Sequence, residues 1–341
     1  MPMPTLESPF ATPPEAPAIL QVAPGVHWLR LALPWALNHI NLWFIEDGAG
    51  YALVDTGLGD ETTRTLWPKI LAAQNRPLTQ IIATHYHPDH LGNAQWLSTL
   101  TGAPVHMAFG EYLLAHALHS QSAGYDIASF HTHFHRHGLD EERLARMEAR
   151  GNIYRRGVPE LPQHFRRIIA GDTLTVGGRN WTTIAGYGHS PEHISLYCAE
   201  AGVLISGDML LPRITTNISV PAAMPEEDAV GRFLDSLQQF RPLPVDTLVL
   251  PAHGLPFRGI HARLDQLTAH HDERDATMLA ALDTPRHAAE LLPVLFPRPL
   301  DAHQLLFAMG EAIAHLNHLW RRGHLQRFED TDGTIRFQHT R

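Results

Sequence analysis

The sequence has a single cysteine, no long apolar run and no excess of basic charge. Cys198 is the one cysteine among 341 residues, so no disulfide within the chain is possible and nothing indicates an oxidising compartment. No stretch of about 18 consecutive apolar residues occurs, so no membrane-spanning helix is expected. The formal net charge of −9 disfavours wholesale binding to nucleic acid. We therefore expect a cytoplasmic protein.

The first residues also lack the marks of a targeting segment. Residues 1–17 are rich in proline and contain neither the basic start nor the apolar stretch of a secretory signal. Such a composition cannot bury much apolar surface. We therefore expect residues 1–18 to be a disordered lead-in.

What the sequence does contain is a concentration of metal-ligand residue types at residues 84–90, which read Thr-His-Tyr-His-Pro-Asp-His. Imidazole nitrogens and a carboxylate oxygen together suit zinc, iron or manganese. The preceding residues 80–84 are apolar and β-branched, which predicts a buried strand. Pro88 suits the first turn of a helix that we expect to continue to residue 100. The ligand types thus lie where a strand ends and a helix begins, a common place for ligand sites in α/β sheets.

Three further segments place a histidine or an aspartate after an apolar run or a Gly-rich turn. His189 lies in Gly-Tyr-Gly-His-Ser-Pro-Glu-His, Asp208 follows Val-Leu-Ile-Ser-Gly, and His253 follows Leu-Val-Leu-Pro-Ala. Asp55 stands in a similar position, in Leu-Val-Asp-Thr-Gly. Each is expected at the end of a strand.

In their order along residues 20–260, these motifs resemble those of the metallo-β-lactamase superfamily. The resemblance implies a two-metal site. One metal would take His85, His87 and His189. The other would take Asp89, His90 and His253. Asp208 would bridge both, and Asp55 would support the ligand loops through hydrogen bonds.

The chemistry implied by the resemblance is hydrolysis. Two metals roughly 3.5 Å apart share a water and acidify it to hydroxide, which attacks an electrophilic carbonyl or phosphorus. Asp89 would both ligate a metal and orient this nucleophile, which makes it the catalytic candidate. Zinc is the favoured metal, with iron and manganese as alternatives, because His and Asp ligands accept all three.

The resemblance implies an α/β fold, an αββα sandwich of two sheets with helices outside, over residues 19–257. Residues 109–167 form a helical insertion within it. Residues 258–341 read as three helices followed by a hairpin around Asp332-Gly333, which resembles a winged-helix domain.

The insertion is expected to overhang the metals as a cap. From residue 127 on it has three more arginines than acids, which favours an anionic substrate group such as coenzyme A, glutathione or phosphate. The alternative is a solvated helical face. Within it, residues 131–137 read His-Thr-His-Phe-His-Arg-His. We interpret them as a His-rich helix without a third metal, because no carboxylate is evidently placed to orient the rings.

The C-terminal region offers little for nucleic acid. From residue 285 on it has seven arginines against six acids, whereas phosphate-tracking surfaces show a clear basic stripe. We therefore expect this region to pack against the sandwich or in a homodimer.

The leading hypothesis is a metal-dependent hydrolase of a small ester or thioester, with lactones also open. Residues 211–217, which follow Asp208, are expected to line the pocket, with Arg213 and Asn217 as substrate-binding candidates. One alternative is a phosphodiesterase or endoribonuclease of the winged-helix branch. Another is an enzyme that resembles persulfide dioxygenases, with one iron held by two His and one Asp. A non-enzymatic binder would leave the ligand residues without purpose.

Overall fold

A computed structural model describes residues 6–340, except for the side chains of residues 302 and 303. Its largest sheet has seven strands in sequence order. The strands are β1 (Leu20–Ala23), β2 (Val26–Ala32), β3 (His39–Asp47), β4 (Gly50–Val54), β5 (Leu78–Ile82), β6 (Val105–Ala108) and β7 (Arg166–Ile168). The sheet is antiparallel from β1 to β4 and parallel from β4 to β7.

The second sheet has five strands, in the order β12-β11-β10-β9-β8. They are β8 (Thr173–Val176), β9 (Arg179–Gly186), β10 (His193–Cys198), β11 (Val203–Gly207) and β12 (Leu248–Pro251). Only β11 and β12 pair in parallel. Helix α8 (Ala229–Gln238) makes the crossover between them.

Both faces of the sheets are buried, which explains why the strands are so apolar. In β2, Val26 and Trp28 join a core shared with Trp181 of the second sheet, while Leu29 and Leu31 join a separate core on the other face. This alternation follows from the two-residue period of a strand. The outer core of the first sheet contains residues of α1 (Glu61–Gln74) and α3 (Ala94–Thr101). Helices cover both outer faces, so the predicted αββα sandwich is confirmed.

The predicted helix from Pro88 to residue 100 is wrong in one respect, because the chain forms two helices, α2 (Pro88–Leu91) and α3. The Asn93 side chain donates to the carbonyl oxygens of Thr56, Gly57 and Leu58 at 3.1, 3.2 and 2.8 Å. These long-range hydrogen bonds hold Asn93 between the helices. They bind the metal-ligand loop to the loop that carries Asp55.

The insertion is helical, as expected. It contains α4 (Phe109–His119), α5 (Ile127–Arg136), α6 (Glu141–Glu148) and α7 (Ile153–Gly157). Leu144 of α6 and Phe134 of α5 pack in the same core as α8 and the C-terminal helices. The insertion is therefore anchored on the C-terminal region as well as on the sandwich.

The C-terminal region has the three predicted helices and the hairpin. The helices are α9 (Ile260–Ala280), α10 (Ala288–Leu295) and α11 (Ala302–Arg321), and the hairpin strands are β13 (Leu325–Glu329) and β14 (Ile335–His339). Gly333 turns the hairpin with a φ of 85°. Leu264 and Ile313 share one core with α8, so this region packs on the second sheet's outer layer. Within residues 6–340, none of the helices combines the length and apolar character needed to cross a bilayer.

Residues 6–18 differ from the expected disordered lead-in. Glu7 pairs with Arg258 in an antiparallel bridge, and the Ser8 hydroxyl donates to the Pro256 carbonyl at 2.9 Å. The Phe10 ring lies edge-on to Trp28, with 6.4 Å between ring centroids. Composition averaged over a Pro-rich stretch misses these few anchoring contacts. Residues 1–5 of the predicted lead-in lie outside the described residues.

Candidate metal centre

The structure brings the seven predicted ligands together at one edge of the sandwich. Each lies just after a strand or in the short helix α2. His85 and His87 follow β5, Asp89 and His90 lie in α2, His189 follows β9, Asp208 follows β11 and His253 follows β12. They form two groups, and within each group the ligand atoms all lie within 4.8 Å of one another. Among the side chains that the structure describes, no other three His, Cys, Asp or Glu residues meet this criterion.

The first group contains His85, His87, His189 and Asp208. His85 Nε2 lies 2.8 Å from His87 Nδ1 and 3.2 Å from His189 Nε2. His189 Nε2 lies 3.4 Å from Asp208 Oδ2. Donors at about 2.1 Å from a tetrahedral ion lie about 3.4 Å apart. The spacing of this group therefore suits one small cation.

The second group contains Asp89, His90 and His253. Asp89 Oδ2 lies 3.5 Å from His253 Nε2 and 3.8 Å from His90 Nε2. The other oxygen of Asp208, Oδ1, lies 3.4 Å from His253 Nε2 and 3.6 Å from His90 Nε2. Asp208 thus faces both groups with one oxygen each. This is the arrangement expected of a bridging carboxylate.

Hydrogen bonds on the far side of the rings aim the ligand nitrogens inward. His90 Nδ1 donates to Asp55 Oδ2 at 2.8 Å, and His189 Nδ1 donates to the Asn217 carbonyl at 2.7 Å. His253 Nδ1 donates to the His39 carbonyl at 2.7 Å. Because a neutral imidazole has one donor and one acceptor, each of these rings in its neutral form keeps a lone pair on Nε2 for a metal.

His87 presents its other nitrogen. Its Nε2 lies 3.0 Å from the Tyr86 hydroxyl, and its Nδ1 faces His85.

Asp55 also accepts from the Thr84 amide at 2.8 Å. Asp55 is 2% exposed and touches His90 without reaching the other ligands, so it lies where the sequence predicted, behind the centre.

Two buried atoms in the centre have no hydrogen-bond partner, namely His90 Nε2 and Asp208 Oδ1. A buried acceptor without a partner is costly. A cation between these atoms would satisfy both at once. The residues therefore fit a pair of divalent metal ions.

The charges of the ligand side chains also indicate a site for cations. Burial lowers the pKa of His90, but the carboxylates of Asp55, Asp89 and Asp208 outweigh it and raise that pKa to about 10. Burial would raise the pKa of Asp208, but the histidines around it hold that pKa well below its usual range. Burial and neighbouring histidines lower the pKa of His85, which favours the neutral, metal-binding imidazole. The centre is a buried anionic site that favours cations.

Two residues near the centre were missed in the sequence. His193 is fully buried, and its Nε2 accepts from the Asp208 amide at 3.0 Å, which fixes the backbone of the bridging residue. The sequence could have indicated His193, because it is the last residue of the Gly-Tyr-Gly-His-Ser-Pro-Glu-His segment that contains His189. Glu111 is also fully buried, and its carboxylate accepts from the amide of Tyr86. Burial raises the pKa of Glu111 to about 7 against the effect of its hydrogen bonds. No local motif marks this residue.

The two substrate-binding candidates, Arg213 and Asn217, both lie in the loop after Asp208. Asn217 contacts the centre through its backbone carbonyl, while its side-chain amide donates to Ser219 Oγ at 3.0 Å. Arg213 is exposed. The preceding Pro212 packs against Gly254, the neighbour of His253. The binding role of both residues stays a prediction.

The His-rich segment is a helix, as predicted, but a carboxylate does accompany it. The Glu141 oxygens lie 3.4 Å from the Nε2 atoms of His131 and His135. His133 and His137 are buried, and burial lowers the pKa of both. The two faces therefore differ, since one presents its histidines beside a carboxylate at the surface and the other packs its histidines in the interior.

Comparison with known proteins places this geometry in context. A sequence profile described as the metallo-beta-lactamase superfamily matches residues 36–253, and one described as the metallo-beta-lactamase-like C-terminal domain matches residues 276–340. A crystal structure of a beta-lactamase domain protein from Burkholderia ambifaria is 42% identical with a TM-score of 0.92, over 98% of both chains.

Two curated relatives are more distant. One is a probable metallo-hydrolase of Bacillus subtilis, 24% identical over 85% of this chain and 90% of the relative. The other is a hydroxyacylglutathione hydrolase of Haemophilus ducreyi, 25% identical over 72% of this chain and 78% of the relative.

Proposed function

This chain belongs to the metallo-β-lactamase superfamily and is a hydrolase of that superfamily, and we propose that it cleaves a small ester or thioester. The observation that carries the proposal is Asp208, whose two oxygens face two separate groups of ligand residues. A thioester is favoured among the substrates because hydroxyacylglutathione hydrolases are among the relatives. Lactones, which are cyclic esters, remain substrates of the same class.

Each candidate ligand would have a defined role in this reaction. His85, His87 and His189 would hold one metal, while Asp89, His90 and His253 would hold the other, with Asp208 between them. Bound metals supply acidity to a water molecule and charge stabilisation to a developing oxyanion. Asp89, at the edge of the second group, would accept a hydrogen bond from the attacking water and orient it. Zinc is the metal we propose, with iron and manganese as alternatives.

The charge pattern of the molecule weakens the phosphodiesterase alternative. In the C-terminal region, Arg321 and Arg327 face Glu226 at 3.3 and 3.7 Å, and Arg336 faces Asp330 at 2.5 Å. These pairs offset the charge of three of the seven arginines from residue 285 on, which leaves fewer to follow a phosphate backbone. A mononuclear iron enzyme would leave the second group, which includes Asp89 and His253, without a role.

Metal analysis followed by a substrate panel tests the proposal. We expect two divalent ions per chain, turnover of thioesters or lactones, and no turnover of phosphodiesters. Purified protein that folds but binds no metal, or that cleaves only phosphodiesters, would reject it. One iron per chain without zinc would favour redox chemistry instead.

Metal removal should also lower thermal stability. An ion that binds only the native state at 1,000 times its Kd stabilises it by about 4 kcal/mol. For a chain of this size, that corresponds to a fall in Tm of roughly 6 °C for each ion removed by dialysis against a chelator. Scanning calorimetry before dialysis, after dialysis and after zinc is restored would measure the shift. An identical Tm in all three samples would contradict a native metal centre.

Arg213 is the residue we propose for an anionic group of the substrate. It is exposed next to the loop that contacts Gly254, whereas Arg136, Arg143 and Arg146 of the insertion already face acidic side chains. We expect Arg213→Ala to raise KM about tenfold with little change in kcat, since one charge-assisted contact contributes about 1.5 kcal/mol. Steady-state kinetics on an anionic thioester would measure this.

Arg143→Ala is the matched control, because it removes an arginine that is paired with Asp140 at 3.2 Å. Its KM should equal that of the wild type. The opposite result, with KM raised only in Arg143→Ala, would assign the anionic group to the insertion.

A further inference from the structure

A carboxylate of the insertion joins the two loops that hold the first metal group. Glu111 lies in the first turn of α4 and is fully buried. One of its oxygens, Oε2, accepts from the Tyr86 amide at 2.9 Å. The other, Oε1, accepts from the Ser190 hydroxyl at 2.7 Å and from the Glu192 amide at 2.6 Å. All three partners are hydrogen-bond donors to one side chain.

These partners are neighbours of metal-ligand residues. Tyr86 lies between His85 and His87, and Ser190 directly follows His189. Glu111 therefore sets the distance between the loop after β5 and the loop after β9. A reciprocal bond strengthens the link, because Glu192 Oε2 accepts from the Gly110 amide at 2.6 Å.

A second residue of the insertion holds the same loop from the other side. The Tyr154 hydroxyl donates to the Tyr86 carbonyl at 2.8 Å. The Tyr86 hydroxyl in turn lies 3.0 Å from His87 Nε2. The residue between two ligand histidines is thus held at its amide by α4, at its carbonyl by α7, and at its side chain by a ligand.

From these contacts we infer that Glu111 is a positioning residue for the first metal group, and that the insertion sets how tightly this group holds its ion. The inference rests on the metal centre proposed above and not on the identity of the substrate. It extends the role of the insertion beyond covering the site, because Glu111 and Tyr154 lie at either end of its helical part.

The chemistry of the site explains why a carboxylate stands at position 111. Its two oxygens accept from three donors, two of which are backbone amides. A glutamine has one acceptor oxygen, and its NH2 group would face an amide N–H or the Ser190 hydroxyl. The loops would have to separate to relieve that contact. Loosening a partner that orients metal ligands typically costs about 10–100-fold in metal affinity.

The test is zinc affinity of Glu111→Gln, measured by competition with a chromophoric chelator. We expect one of the two ions to bind about 10–100-fold more weakly than in the wild type, with the other little changed. Wild-type affinity for both ions in Glu111→Gln would overturn the inference. Wild-type protein that binds no zinc would instead overturn the metal centre itself, so the two failures are distinguishable.

Asp47→Asn is the matched control for the loss of a carboxylate that joins loops. Asp47 accepts from Thr79 Oγ1 at 2.7 Å, Gln80 Nε2 at 3.2 Å and the Gly177 amide at 2.9 Å. It lies at the turn between β3 and β4, away from the strand ends that carry the ligands. We expect the Asp47→Asn variant to have a lower Tm than the wild type and an unchanged affinity for zinc. Equal losses of affinity in both variants would show that Glu111 acts only through general stability.

Tyr154→Phe gives an independent measurement and decides the question if Glu111→Gln does not fold. It removes one hydroxyl and leaves the buried ring in place. We expect a fall in affinity of about fivefold for one ion, the effect of one hydrogen bond. If this variant bound both ions with wild-type affinity, the result would contradict the inference that the insertion positions the ligands of the first metal group.

Discussion

Replacement of Asp208 by alanine is expected to abolish hydrolysis and to lower the metal content from two ions to one or fewer. Asp208 is the one described side chain whose oxygens face both ligand groups, at 3.4 Å from His189 Nε2 and 3.4 Å from His253 Nε2. Its removal would take a negative charge from between the two proposed metal ions. We expect kcat/KM to fall by at least ~10³-fold, beyond the ~10–100-fold typical of residues behind the ligands.

Elemental analysis and steady-state kinetics on the same preparation would measure both effects. Asp235→Ala is the control, because Asp235 is an exposed carboxylate in α8. It should keep both ions and full activity. An Asp208→Ala variant with wild-type turnover would reject the bridging role and, with it, the division of the ligands into two groups.

The clustering of the seven candidate ligands could be expected from the sequence because their short motifs resemble those of the family. Four of the seven lie within residues 85–90, and the other three each follow an apolar run or a Gly-rich turn. The chemistry of such a set is carried by residue type and by position after a strand, and both can be read in a sequence. The sandwich, which the family resemblance implied, is confirmed, and the division of Val26 and Trp28 from Leu29 and Leu31 between two faces agrees with their spacing.

Features that depend on long-range contacts could not be read in this way. Helices α2 and α3 are separate because Asn93 donates to carbonyl groups more than 30 residues away. Glu111 is one glutamate in the first turn of a helix, where glutamate is common for reasons that involve no ligand. Its role becomes apparent only when α4 lies across the loops that contain Tyr86 and Ser190.

Charge counting in the insertion was incomplete for a related reason, and the anionic substrate group that it favoured stays a prediction. The excess of arginine predicted a basic surface for an anionic substrate. In the structure, Arg136 faces Glu329 of the hairpin, 193 residues away, at 2.5 Å. Arg146 faces Glu142 within the same helix. A local count cannot include a partner that only the tertiary fold supplies.

Replacement of Asp55 by alanine should give the largest loss of stability, with a milder loss of activity than Asp208→Ala. Asp55 accepts from three buried donors, and its loss leaves the Thr84 amide and His90 Nδ1 without an acceptor, whereas the Thr84 hydroxyl also lies 3.0 Å from His85 Nδ1. Each such donor costs about 1–3 kcal/mol. Asp55 also has a φ of 61°, a left-handed conformation that aspartate and asparagine tolerate better than alanine. We expect the free energy of unfolding to fall by about 3–6 kcal/mol.

Denaturant titration with zinc present, together with metal analysis, would separate the two effects. We expect Asp55→Ala to retain metal and to lose about 10–100-fold in kcat/KM, because His90 loses the partner that aims its Nε2 at the centre. Asp55→Asn keeps the backbone conformation and one acceptor oxygen, so its loss of stability should be smaller. Complete loss of both ions in Asp55→Ala would show that Asp55 holds the metals as strongly as a ligand does. A wild-type unfolding midpoint in that variant would mean that the hydrogen bonds to Thr84 and His90 contribute nothing to the fold.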